Sequence, residues 1–181
     1  MGSTSLIFLL SLSFLHFFHQ PLLLVAADAD FIRKTCKKTD YYDLCVSSLK
    51  SNSTSANADT KGLAVIMVGI GMVNATATSS YLSTQLLSTT NDTLMKKVLK
   101  ECSDKYSYAT DALHASLQDL AMESYDYANM HIMAAADYPN ACHNAFKRYS
   151  GLAYPPEIAR REEGLKRICD VVLGIIDLLG W

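Results

Sequence analysis

The stretch Leu94–Leu120, LMKKVLKECSDKYSYATDALHASLQDL, decides the fold. Its apolar positions Leu94, Val98, Cys102, Tyr106, Ala109, Leu113, Leu117 and Leu120 advance by three or four residues, with no proline or glycine between them. That spacing puts one continuous stripe on an α-helix. Three further stripes flank it. One runs Leu63, Ile66, Ile70, Val73, Ala77 and Tyr81, starting from Asp59 and ending before the break Thr89-Thr90-Asn91-Asp92. Another runs Ala128, Ile132, Ala135, Pro139, Cys142, Phe146 and Tyr149. The last runs Ile158, Leu165, Ile168, Val172, Ile175 and Leu179, opened by Pro155-Pro156. Four amphipathic helices with short connections predict an all-α, up-down-up-down four-helix bundle over residues 58–181. Pro139 removes a backbone donor in mid-stripe and is expected to kink the third bundle helix near Ala135.

Ahead of the bundle, residues 28–57 are too short to own a core. Cys36 and Cys45 would tie two short helical pieces into a hairpin, with the Ser/Asn-rich run Ser47 to Asn57 as a loop. Such a hairpin would serve either as an end cap or as an arm for self-association. Cys102 and Cys142 both fall on core-facing stripes, so a bridge between the second and third bundle helices is geometrically sensible. Cys169 is left as a spare thiol. Two disulfides and one free cysteine behind an export signal describe an oxidising compartment.

That signal is residues 1–27, which contain no Lys, Arg, Asp or Glu. Leu6 to Phe18 is nearly all apolar, Pro21 breaks the run, and Val25-Ala26-Ala27 offers small residues for cleavage before Asp28. The run falls short of the roughly 20 residues a spanning helix needs. No other stretch is expected to reach that length, so the mature chain is expected to have no membrane partner. Three sequons, at Asn52, Asn74 and Asn91, fit the secretory route as candidate N-glycosylation sites, Asn74 less well because it falls inside a predicted helix.

The net charge of −2 argues against nucleic acid or an anionic membrane surface, since either calls for a basic face. A catalytic site is hard to find. There is no Gly-x-Ser-x-Gly elbow, no phosphate loop and no His-Glu-x-x-His. Asp111-x-x-His114 places a carboxylate and an imidazole on one helix face. A di-metal bundle site, however, wants carboxylates from four helices and two Glu-x-x-His motifs. His131 and His143 lie about three turns apart on one helix and cannot share a ligand. Cys169 sits between Ile168 and Val172 on an apolar stripe, where a thiol is inert. The expectation is a non-enzyme with neither metal nor cofactor, acting by recognition.

Ten tyrosines exceed what a small core requires. Tyr41, Tyr42, Tyr108, Tyr125 and Tyr154 fall off the stripes or in turns, and tyrosine is enriched at interfaces. Glu123-Ser124-Tyr125-Asp126-Tyr127, at the turn between the second and third bundle helices, is the leading candidate patch.

Several spaced blocks now carry a resemblance. Ile32-x3-Cys36-x2-Thr39-x5-Cys45-x2-Ser48-Leu49 resembles the opening of the plant invertase and pectin methylesterase inhibitor family. Leu99-x2-Cys102-x3-Tyr106-x2-Ala109-x3-Leu113 is similar to that family's second bundle helix, and Ala134-Ala135 with Cys142-x3-Phe146 to its third. The resemblance implies a helical hairpin on a four-helix bundle, with bonds Cys36–Cys45 and Cys102–Cys142. It also implies a secreted, stoichiometric protein inhibitor of an apoplastic or vacuolar plant carbohydrate enzyme, acting as a 1:1 complex by capping the target's cleft. With no catalytic domain after Trp181, a free-standing inhibitor is expected.

The target is read from one departure. Invertase inhibitors of this family carry Pro-Lys-Phe before the third bundle helix, and the matching positions here are Tyr125, Asp126 and Tyr127. The basic residue has become acidic, and an acid invertase cleft is lined with carboxylates, so the two should repel. Pectin methylesterase is therefore the favoured target and acid invertase the alternative. Glu123, Tyr125, Asp126 and Tyr127 are the candidate target-binding residues. A reading of another class is a secreted helical binding protein that carries a small apolar ligand in a cavity between its helices.

Overall fold

The computed structural model describes residues 29–180; the expected signal peptide, residues 1–27, lies outside them. Six helices follow one another. Helix α1 covers 29–36 and α2 Tyr42–Lys50, and a 3₁₀ turn at Ser53–Asn57 leads into the bundle. Helix α3 spans Thr60–Ser80 and runs on through a π-helical turn, Tyr81–Leu86, to Thr89. Helix α4 is Thr93–Ala121, α5 is Tyr125–Lys147 and α6 is Pro156–Ile176.

The starts of these helices are written locally. Asp59 Oδ1 accepts the Gly62 N–H at 2.7 Å and so caps α3. Asp92 Oδ1 does the same for Leu94 and Met95 at 2.8 and 3.2 Å at the start of α4. Pro156 opens α6, where its missing N–H costs nothing.

In the bundle, α3 packs on α4, α4 on α5, α5 on α6, and α6 back on α3. This is the up-down-up-down arrangement that short connections impose. Three stripes bury as the sequence predicts: Val98, Cys102, Tyr106, Ala109, Leu113 and Leu120 of α4; Ala128, Ile132, Ala135, Pro139, Cys142 and Phe146 of α5; Ile158, Leu165, Ile168, Val172 and Ile175 of α6. The α3 stripe does not. Val73 is 71% exposed and Ala77 is exposed. The buried face instead carries Leu63, Ala64, Met67, Val68, Gly71, Ala75 and Thr78. Residues 63–73 are apolar almost all round, so spacing alone cannot choose the inner face. A Cβ on Gly71 would stand 3.3 Å from Leu113 Cδ1 and 3.4 Å from Ile168 Cγ2, so this glycine marks where α4 and α6 close in, whereas Gly69 has nothing within 4 Å.

The same apolarity corrects a second expectation. Helix Thr60–Thr89 is long and apolar enough to cross a membrane by length and composition. In this fold its inner face packs against α4 and α6.

Cys36–Cys45 joins α1 to α2, and Cys102–Cys142 joins α4 to α5 across a Cα–Cα distance of 4.6 Å. All four cysteines are fully buried. The hairpin leans on the bundle, since α2 packs against α3 and α6. At the contact, a Cβ on Gly174 of α6 would lie 3.1 Å from Thr39 Cα and 3.2 Å from the Lys38 carbonyl oxygen. Backbone cannot yield as a side-chain tip can, so Gly174→Val is expected to cost about 1–3 kcal/mol. Faster amide exchange across 29–50, with α4 and α5 unchanged, would locate that cost in the hairpin.

Candidate functional site

The turn joining α4 to α5 closes with a left-handed residue. The Ser124 N–H reaches the Asp119 carbonyl at 2.9 Å and the Glu123 N–H reaches Leu120 at 3.2 Å, with Glu123 at φ 58°. Glycine is the usual occupant of this helix-terminating position. Here a glutamate holds it, and its carboxylate takes a partner from another helix: Lys61 Nζ of α3 lies 2.9 Å from Glu123 Oε1. That bond and the charge of Glu123 raise the Lys61 pKa. One turn inward, His131 Nδ1 of α5 sits 2.6 Å from Asp119 Oδ2 of α4. The end of the bundle is thus pinned from two sides.

The candidate residues Glu123, Tyr125, Asp126 and Tyr127 line one shallow groove there with Ser124 and Gly180. They do not play equal parts. Tyr125 is half-buried and packs on the core, so it supports the groove more than it is offered to a partner. Asp126 is exposed in the first turn of α5, where a carboxylate also favours the positive end of the helix dipole. Tyr127 is 62% exposed.

The exposed surface continues along α5 in a way the sequence reading missed. Met130 and Met133 are 63% and 56% exposed, and with Asp126 and Asn129 they line a second groove beside the first. The signal was available. Asp126, Met130, Met133 and Asp137 follow helical spacing on the face opposite Ala128, Ile132, Ala135 and Pro139. Methionine off a core stripe is a soft, adaptable contact residue. Lys61 was missed because only the tertiary fold brings residue 61 to residue 123.

The tyrosine expectation needs correcting. Tyr41, Tyr42, Tyr125 and Tyr154 are partly buried against the core, while Tyr108, 47% exposed, stands paired with Tyr138 at 5.7 Å. Tyr154 stacks on His143 with ring centroids 4.4 Å apart and donates its hydroxyl to Glu162 Oε2 at 2.8 Å. Tyr108 and Tyr154 therefore link neighbouring elements, and Tyr41, Tyr42 and Tyr125 pack on the core.

Asp111 and His114 are both exposed on α4, and no group of three metal-ligating side chains comes together among the described residues. Burial, and secondarily Asp170, push the Cys169 thiol up to about 12, so it stays protonated. Tyr106, Leu113, Ile132, Phe146 and Leu165, each 1% exposed or less, fill the middle of the bundle where a ligand carrier would need space.

Comparison with known proteins places this architecture. Residues 30–175 match the family model described as plant invertase/pectin methylesterase inhibitor. A protein of Arabidopsis thaliana named cell wall / vacuolar inhibitor of fructosidase 2 is 54% identical over 178 residues, 98% of each chain. Pectinesterase inhibitor 28 of rice (Oryza sativa subsp. japonica) is 37% identical over 88% of this chain and 74% of its own. The fold is similar to the crystal structure of a mutant form of an Arabidopsis pectin methylesterase inhibitor, with a TM-score of 0.64 at 24% identity, covering 79% of this chain and 93% of that one. A disulfide-pinned bundle carrying a hairpin, matched over nearly all its described length, shows that the chain belongs to the plant invertase/pectin methylesterase inhibitor family.

Proposed function

We propose that this protein is a secreted inhibitor that covers the active-site cleft of a plant carbohydrate enzyme with the outer face of α5 and the α4–α5 turn. The observation that carries this reading is the exposed run Asp126, Tyr127, Met130 and Met133, on a rigid helix in a family of protein inhibitors rather than enzymes. A helix already held in place lowers the backbone part of the ordering cost of docking. An apoplastic or vacuolar location follows from the expected leader and from the location in the name of the Arabidopsis relative.

Pectin methylesterase is the target that the chemistry of this surface supports. The exposed surface runs on along α5 beyond the turn, and Asp126 would face carboxylates in a glycosidase cleft. Inhibition of a fructosidase is favoured by one specific observation: the 54% likeness to the Arabidopsis inhibitor extends over both whole chains, against 37% for the rice pectinesterase inhibitor. The two enzymes therefore belong side by side in one assay at pH 5, with disulfide-intact protein.

Selective loss of esterase activity is the expected result; selective loss of fructosidase activity would replace it with the second reading. If both enzymes keep working at micromolar inhibitor, the proposal fails. Asp126→Lys is expected to strengthen fructosidase inhibition by about tenfold, roughly 1.4 kcal/mol. No change in either profile would remove the turn from the interface.

A further inference from the structure

The fold treats the three sequon asparagines differently. Asn52 caps the 3₁₀ turn: its Oδ1 accepts the Thr54 N–H at 2.9 Å and the Thr54 hydroxyl at 2.6 Å. Both bonds occupy the carbonyl oxygen, so the amide nitrogen is left outside this network, on a half-buried Asn52 at a turn whose next residues, Ser53 and Thr54, are exposed. Asn91 is exposed in the three-residue link 90–92 between α3 and α4, where Asp92, not Asn91, caps the following helix.

Asn74 is the contrast. It lies in the middle of α3, with Oδ1 buried and unpartnered among the described residues. Its Nδ2 is 3.8 Å from where a Cβ on Gly164 of α6 would stand. Swapping the two amide atoms leaves the head group in the same α3–α6 seam.

We infer that the folded, secreted protein carries N-linked glycans on Asn52 and Asn91 and none on Asn74. This rests on the secretory route in the proposed function. In the transfer, Nδ2 bonds to the anomeric carbon of the N-acetylglucosamine at the reducing end of a lipid-diphosphate-linked oligosaccharide. The bond from that carbon to the diphosphate oxygen breaks, the lipid diphosphate leaves with the electron pair, and the amide nitrogen gives up one proton. At Asn52 and Asn91 the product projects into water. At Asn74 it would have to pass between α3 and α6, so a chain modified there cannot close its bundle and drops out of the folded pool.

Asn91 precedes α4, while Glu123 follows it. Twenty-nine helical residues separate them, roughly 40 Å by the helical rise. A glycan on Asn91 therefore leaves the α4–α5 end uncovered.

The test expresses the chain behind a heterologous secretory leader in a eukaryotic host, so that entry to the pathway is not in question. Glycopeptide mass spectrometry on folded, secreted protein is expected to find Asn52 and Asn91 occupied and Asn74 bare. Asn52→Gln and Asn91→Gln should each remove one step from the glycosidase-sensitive ladder on a gel, and Asn74→Gln none. Thr54→Val and Thr93→Val keep the asparagines, delete the sequon hydroxyls and should give the same two losses. Sugar on Asn74 in the folded pool, or a bare Asn52 or Asn91, overturns the inference. The glycan pattern is read without any target enzyme, so a failed inhibition assay counts against the proposed function alone.

Discussion

Replacing Cys102 and Cys142 together by alanine is expected to lower the unfolding free energy by about 3–4 kcal/mol, the chain-entropy value for a cross-link across 40 residues. The bond ties α4 to α5, the pair whose junction forms the candidate surface, and both cysteines are fully buried. Alanine is the right replacement because serine would bury two hydroxyls in an apolar site. For a chain of this size the loss corresponds to a fall in Tm of about 10 °C. Urea unfolding at equal protein concentration checks it. A loss below about 1 kcal/mol would mean that helix packing alone already restrains α4 against α5. Cys36–Cys45 closes a much shorter loop, spanning a sequence separation of 9, so the smaller cost of removing that bond should fall mainly on the hairpin.

The double variant Tyr127→Ala, Met130→Ala is expected to weaken inhibition of whichever enzyme is the target by about 30-fold, the roughly 2 kcal/mol that separates a hot spot from an ordinary contact. Both side chains are more than 60% exposed in the free protein, so the substitutions remove little packing and Tm should hold. Loss of inhibition at constant Tm separates a contact role from a structural one. Val73→Ala is the matched control, because Val73 is as exposed but lies on α3. If the double variant inhibits within twofold of the parent, the α5 face is not where the target binds. If Val73→Ala weakens inhibition equally, the contact surface extends to α3, and the assignment to one helix face is wrong.

The inhibitor reading rests on family and surface together. Family membership comes from matched sequence blocks, while the surface comes from which side chains the bundle leaves outside. Family membership alone does not distinguish a methylesterase from a fructosidase, because relatives named for each match most of this chain. The turn and the outer face of α5 are where the two targets would be told apart.

Helix count, helix starts and three of four buried faces were legible in the sequence by itself. The reason is local: caps such as Asp59 and Asp92 act within four residues, and a stripe that alternates with Lys, Glu and Asp has one possible inner face. The cysteines on those stripes already stood in positions to be joined. Tertiary structure alone decided the rest. Helix α3 is apolar on nearly every side, so its inner face is set by how it packs, as where α4 and α6 approach Gly71, which is a property of the packed helices and not of the segment. Lys61 meets Glu123 across 62 positions of chain, and Asn74 faces Gly164 across the α3–α6 seam. Contacts between residues so far apart leave no periodic trace in either segment, because each depends on how the helices pack.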